Sequence, residues 1–171
     1  MKNNATRLTF ANLTESRKSC YLETKLRNDA QDACDSGTYH TFKESYNALS
    51  FQLNKIAPTN ENIGHRIVAL VDFSINEEVG IAWWQYQDDN KTVIFWGLDV
   101  YMPFRRQGYA KLAIKLVERM VRDNGYKTIR GAVFASNTPS VQLHKSCGYE
   151  ITSVFFMKTI KPGLKQQLQQ E

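Results

Sequence analysis

Asn137-Thr-Pro-Ser140-Val-Gln-Leu143-His144-Lys-Ser-Cys-Gly148-Tyr149-Glu150 is the stretch on which the fold turns. Proline is tolerated in the first turn of a helix, where its missing N–H has no partner to lose. Residues 138–146 therefore read as a short helix. The apolar, β-branched run over 149–160 reads as a last strand. The stretch gains its meaning from a second signature about thirty residues earlier, Arg105-Arg-Gln-Gly108-Tyr-Ala110.

That earlier signature falls at a strand-to-helix turn. A helix N-terminus offers unpaired backbone N–H groups and a partial positive charge, and phosphates bind there readily. Gly108 lets the backbone approach a ligand without a Cβ in the way. Ala110 keeps the next turn thin, and Arg105, Arg106 and Lys111 add positive charge. The G-K-[ST] of a P-loop is missing, so nucleotide hydrolysis is unsupported, and so are the three glycines of a dinucleotide fingerprint.

Outward from the turn, Tyr109, Leu112, Ala113, Leu116, Val117, Met120 and Val121 form one apolar stripe, the clearest helix of the chain. Asn124-Gly125 closes it. A strand follows over 127–135. Upstream, strands are expected over 66–73, 78–87 and 92–102, the last two joined as a hairpin by Asp88-Asp-Asn-Lys91. Gly97 inside the third marks either a bulge or a packing contact. Alternation places Trp83 and Trp84 on opposite faces, which leaves one of them free to line a groove.

Further back, Phe42, Tyr46, Leu49, Leu53 and Ile56 recur every three or four residues, so 42–56 is a helix. Thr41 with Glu44 makes a capping box at its start, and Pro58 ends it. Residues 59–65 read as a polar loop. A weakly amphipathic helix runs over 14–33 and stops before Gly37, and 6–11 is a short first strand. The order β-α-α-β-β-β-α-β-α-β joins antiparallel hairpins to a late β-α-β crossover. It predicts an α/β fold with a mixed sheet and helices on its faces.

The 171 residues fit one domain, expected over 1–160 with a polar tail at 161–171. Lys plus Arg is 22 against 17 for Asp plus Glu, a net charge of +5. That favours anionic ligands. It does not point to nucleic acid, because no basic run exceeds two residues. Three cysteines without a C-x-x-C and three scattered histidines argue against a disulfide framework and a metal site. A reducing cytoplasm is the expected compartment. The polar N-terminus shows no signal peptide, and no apolar run approaches bilayer length, so no membrane role is expected.

Taken together, Leu98-Asp-Val100, Arg105-x-x-Gly108-x-Ala110 and Asn137-x-x-Ser140-x-x-Leu143-x-x-x-x-Gly148-Tyr149 resemble the cofactor segments of the GNAT superfamily of acetyltransferases. The likeness spans about residues 6–160. It implies a GNAT-like fold, a central, mixed, splayed sheet flanked by about four helices. It also implies acetyl-CoA as cofactor and direct transfer of an acetyl group to a primary amine through a tetrahedral intermediate. Leu98 and Val100 would lie on the strand that pairs with the pantetheine arm, with a bulge that suits Gly97. Backbone N–H groups from Arg106 through Gln107, Gly108 and Tyr109 to Ala110 would hold the pyrophosphate, with Arg105 and Lys111 adding charge. A backbone N–H on the bulged strand would polarise the thioester carbonyl. Asn137 would bond the pantetheine or the chain around it, and Ser140 would sit near the cofactor.

At one position the chain departs from the family. Many members carry Tyr where this sequence has His144, and that Tyr is given the role of protonating the leaving thiolate. Imidazolium can do the same, since its reference pKa of roughly 6.5 lies below the roughly 8.5 of a thiol. A histidine that only bonds or packs beside the cofactor is the other reading, and with it a non-catalytic acyl-CoA-binding module. For the general base, Asp99 is placed on the cofactor strand, with Glu77, Glu78 and Tyr101 as alternatives. The acceptor, a small-molecule amine or a peptide or protein amine, would meet the helical pair over 14–57. Residues 29–35 there are locally acidic. The resemblance also allows a homodimer.

Overall fold

Two adjacent tryptophans divide the core. They stand on the central strand of one open sheet, whose strands run in the order β1 (Leu8–Asn12), β2 (His65–Asp72), β3 (Glu77–Gln87), β4 (Thr92–Val100) and β5 (Thr128–Arg130). All neighbours are antiparallel except β4 and β5, which are parallel. The computed structural model describes residues 7–56, 64–154 and 156. Among them are four α-helices: α1 (Glu15–Asp35), α2 (Phe42–Ile56), α3 (Tyr109–Asp123) and α4 (Thr138–Ser146).

Trp84 packs with Leu8, Val68, Leu70, Val79, Val93 and Phe95 against Ala113, Ile114, Val117 and Val121 of α3. Trp83 packs on the opposite face with Leu13, Ile67, Ala69, Ile81 and Tyr21, and with Leu53 and Ile56 of α2. Both tryptophans are buried. Alternation places them as expected, but neither lines a groove, because helices cover both faces of β3.

The capping box of α2 is reciprocal: Glu44 N–H donates to Thr41 Oγ1 and Thr41 N–H to Glu44 Oε2, each at 3.2 Å. α1 begins after the Thr14 N-cap. Its buried side carries small residues, Ala30 and Ala33, and Ser45 Oγ of α2 donates to the Ala30 carbonyl at 2.8 Å. The two helices thus pack closely.

Two expected strands differ. β5 ends at Arg130 rather than at 135, and residues 131–136 leave the sheet. Residues 149–154 and 156 carry no strand, and Ile151, Val154 and Phe156 are exposed. A β-branched run becomes a strand only where an edge accepts its hydrogen bonds. The rest of the expected last strand, the stop at Pro58, most of the loop at 59–65 and the tail at 161–171 lie outside the described residues.

Candidate active site

Strand β4 changes character half-way along. Trp83 faces Gly97 while Trp84 faces Phe95, so Trp96 is an extra residue, a β-bulge. β4 stays paired with β3 up to Val100, opposite Gly80. Its pairing with β5 stops at Ile94–Arg130. A bulge bends its strand and raises the local twist, which carries β4 away from β5. Among the described residues, the outer edge of β4 from Phe95 to Val100 has no strand beside it. Leu98 and Val100 turn toward the α3 core. Gly97 and Asp99 turn toward α1.

From Val100 the chain passes a single 3-10 turn, Met102–Phe104, and enters α3. Arg106 (φ 62°) and Gly108 (φ 84°) are both left-handed, and Gly108 is the N-cap with no side-chain capping bond. A Cβ at Gly108 would meet open space, so conformation, not crowding, requires glycine here. The first N–H groups of α3 are therefore unpaired within the helix and face outward. Arg105 Nε donates to the Val100 carbonyl at 2.9 Å, and Gln107 Nε2 to the Pro103 carbonyl at 2.8 Å. These side chains brace the turn. Arg106 and Lys111 are exposed, and Ala110 is half-buried.

Tyr109 fixes the turn to the sheet. Its ring is buried edge-on to Phe104, and its hydroxyl donates to Asp72 Oδ2 at 2.8 Å. The fully buried Asp72 carboxylate also accepts from Ser74 N at 2.9 Å and Ser74 Oγ at 2.5 Å. Arg7 Nε lies 3.0 Å away in charge contact. Burial pulls the Asp72 pKa up, but the bonds from Ser74 and Tyr109 and the charge of Arg7 outweigh it and hold it below its ordinary value.

The second signature lies across from this turn. Asn137 caps α4: its Oδ1 accepts from Ser140 N at 3.2 Å, while its Nδ2 donates to Asp32 Oδ2 of α1 at 2.8 Å. His144 Nδ1 lies 2.8 Å from the Ser140 carbonyl, so that nitrogen carries the proton and Nε2 is left for other partners. Tyr149 meets the imidazole edge-on at 5.2 Å. Burial, with Glu118 nearby, raises the Tyr149 phenol well above its ordinary pKa. Cys147 is the C-cap of α4 and packs against the α3 core. A cavity of about 530 Å³ joins the two signatures, lined by Arg106 on one side and Thr138, Pro139, Gln142, Leu143 and Ser146 on the other.

On the opposite side of β4, helix α1 lays a row of polar side chains at four-residue spacing. Arg17 forks onto Glu78, with Nη1 to Oε2 at 2.7 Å, and the Tyr101 hydroxyl joins the same carboxylate. The Arg17 bond is the main reason that the Glu78 pKa falls, against the pull of burial. Burial first, then Glu78, pushes Tyr101 up to about 12. One turn on, the Tyr21 hydroxyl sits over Gly97 and faces Asp99. It is buried without closing a hydrogen bond, as is Trp96 Nε1. Burial, then the Asp99 carboxylate, keeps this phenol well above its ordinary pKa of 10. Lys25 Nζ pairs with Asp29 at 2.7 Å.

The structure thus brings Arg106 together with the start of α4, and sets Asp99 among α1 side chains rather than beside His144. The expected catalytic and cofactor-binding residues omit Tyr21 and Lys25, while Asp29 and Asp32 fall within the stretch 29–35 already read as locally acidic. Their spacing of 21, 25 and 29, continuing the Arg17 row, was the available signal, hidden because a polar stripe lowers the amphipathicity of α1. Among the described residues, no group of His, Cys, Asp and Glu is placed to hold a metal ion, and no helix is long and apolar enough to cross a membrane.

The model of the acetyltransferase (GNAT) family matches residues 13–149. The uncharacterised N-acetyltransferase YdgE of Bacillus subtilis is 24% identical over 155 residues, 89% of this chain and 98% of YdgE. The uncharacterised N-acetyltransferase YycN of the same organism is also 24% identical, over 82% of this chain and 90% of its own. The crystal structure of YycN superposes with a TM-score of 0.79, at 21% identity, over 91% of this chain and 99% of that one. A spermidine N-acetyltransferase from Vibrio cholerae, solved with CoA and spermine, gives a TM-score of 0.55 at 18% identity, over 83% of this chain and 80% of that one.

Proposed function

We propose that this chain, which belongs to the acetyltransferase (GNAT) family, transfers an acetyl group from acetyl-CoA to the primary amine of a small molecule by direct attack. The observation that carries the reading is the parting of β4 from β5 after Ile94–Arg130, beside the bulge at Trp96. It opens a strand edge next to a helix N-terminus, and a pantetheine arm continued by a pyrophosphate needs those two features in sequence. Binding of CoA and amines by solved neighbours of this fold supports the same reading.

The residues present fit the cofactor. Unpaired N–H groups between Arg106 and Ala110 suit a pyrophosphate, and open space at Gly108 admits it. Arg106 and Lys111 add charge, while Arg105 and Gln107 hold the turn's shape and Tyr109 anchors it. The free edge at Leu98 and Val100 offers ladder bonds to the pantetheine amides. Asn137 and Ser140 do not line the cavity: Asn137 caps α4 through the Ser140 N–H and ties it to Asp32, which sets the helix start that Thr138 and Pro139 present to it. When bound, acetyl-CoA supplies a thioester whose carbonyl carbon receives the amine and whose sulfur leaves.

Asp99, on the same stretch of β4, takes the amine proton. Glu78 is the weaker base, because Arg17 and Tyr101 stabilise its ionised form. His144, held at Nδ1 by the Ser140 carbonyl, donates from Nε2 to the departing thiolate when its ring carries both protons, and is left with the proton on Nδ1. The three unpaired cysteines suit a reducing cytoplasm.

Free-thiol release from acetyl-CoA across a broad amine panel tests the proposal. Acetylated product with at least one amine is expected. CoA binding without turnover on any acceptor would leave a binding module, and an acyl group trapped on Cys147 would overturn direct transfer.

A further inference from the structure

The start of α4 is held from the far side of the sheet. α4 is nine residues long, and none of them is buried. A helix that short is marginal by itself, so its place is set by what it touches. Leu143, Cys147 and, beyond the helix, Tyr149 rest on the α3 core and hold its C-terminal end. Its first turn follows residues 131–136, which have left the sheet and are exposed apart from Phe134. Among the described residues, two side-chain hydrogen bonds tie this start to α1, and both end on Asp32. Asn137 Nδ2 donates to its carboxylate at 2.8 Å, and Ser136 Oγ donates to its carbonyl at 3.1 Å.

The link crosses the sheet. α1 packs on the Trp83 face, and α4 packs on the Trp84 face. They meet past Arg130, where β5 has ended. Asp32 stands in the last turn of α1, which holds no basic residue, and there the helix dipole disfavours an acid. The carboxylate thus works against its own helix and gains at Asn137. From Asn137 the order passes on into the cavity. Asn137 Oδ1 accepts from Ser140 N, which fixes the first turn of α4. Between these two residues stand Thr138 and Pro139, part of the wall that faces Arg106. The Ser140 carbonyl in turn holds His144 Nδ1.

We propose that Asp32 is a positioning residue for the cofactor site. It does not line the cavity itself. It acts through Asn137, from the other face of the sheet, by setting where Thr138 and Pro139 stand against Arg106. The grip on CoA therefore depends on a side chain of α1. This deepens the acetyl-transfer reading and rests on it for the identity of the ligand.

Calorimetric titration with CoA tests this, at a temperature where every variant is folded. Asp32→Ala should weaken CoA binding about tenfold, the effect of losing one hydrogen bond to a charged group. KM for acetyl-CoA should rise with it, while kcat changes less. Asp32→Asn keeps an acceptor oxygen for Asn137 and should bind CoA within about twofold of wild type. Asn137→Asp should weaken CoA binding, and adding Asp32→Asn, which reverses donor and acceptor, should restore it. Ser45→Ala is the control for stability alone. It strips the bond to the Ala30 carbonyl elsewhere on α1, so it should lower Tm and leave CoA affinity in place. Full affinity in Asp32→Ala, or an equal loss in Ser45→Ala, overturns the proposal while the acetyl-transfer reading stands. If the wild-type protein binds no CoA, that reading falls and this one with it.

Discussion

The hydroxyl of Tyr21 stands 2.5 Å from the place a Cβ on Gly97 would occupy, with Lys25 Cε at 2.9 Å from the same point. A residue of α1 therefore fills the space that glycine leaves at the β4 bulge. The packing of α1 on β4 depends on this close approach.

Gly97→Ala should destabilise the fold by about 1–3 kcal/mol through overpacking, lowering Tm by roughly 2–4 °C per kcal/mol. Tyr21→Phe removes the clashing oxygen. The double variant should thus be more stable than the sum of the single losses predicts. Thermal unfolding of the four proteins measures it, and strict additivity would show that the two sites do not touch.

Tyr109→Phe should cost about 1–3 kcal/mol, because it strips a hydrogen bond from a buried carboxylate. It should also raise KM for acetyl-CoA, since Tyr109 ties the turn to Asp72. The folded pKa of Asp72 lies below its ordinary 3.8. Its contribution is therefore complete above the unfolded pKa and is lost as pH falls through the folded one. Urea midpoints from pH 7 to pH 2 should show the stability gap between wild type and Asp72→Asn closing only at the acid end. A gap that does not change with pH would remove the carboxylate's charge from the account.

Gly108→Ala meets no steric obstacle but must adopt φ 84°. About 1–2 kcal/mol of strain is expected, with CoA affinity reduced several-fold as the turn relaxes. Calorimetric titration with CoA checks it. Unchanged affinity would separate the turn from the cofactor.

Asn137→Asp keeps the α4 cap but sets a carboxylate against Asp32, where the amide now donates at 2.8 Å. It should be less stable than wild type by about 1 kcal/mol or more. Adding Asp32→Asn should recover most of the loss. Denaturant midpoints of the two variants decide whether this link joins α1 to α4.

Asp99→Asn and His144→Ala should each lower kcat about 10²-fold or more, in the range for general acid–base groups, with CoA binding retained. His144→Ala is the variant that isolates the proposed proton donor. A near-normal kcat in that variant would assign His144 to packing alone.

Much of the molecule is legible along the chain. Residues 42–56 and 138–146 form the expected helices because their caps are local: Thr41 with Glu44, and Asn137 with the N–H of Ser140. Trp83 and Trp84 part to opposite faces because a strand alternates. The positively charged turn at 105–111 is legible because glycine and a helix start leave a local mark. The strands at 131–135 and 149–154 are misread because apolar composition records propensity but not which backbone a segment pairs with.

The sequence by itself determined the mixed sheet, the order of its elements as far as α4 and the placing of the two signatures at helix starts, since short-range spacing encodes caps, turns and periodicity. Tertiary structure alone decided what stands opposite what. It set Arg106 across a cavity from Thr138, paired Glu78 with Arg17, and laid Tyr21 over Gly97. Those contacts join residues dozens of positions apart, and such pairings follow from how α1 crosses the sheet, which no local pattern records.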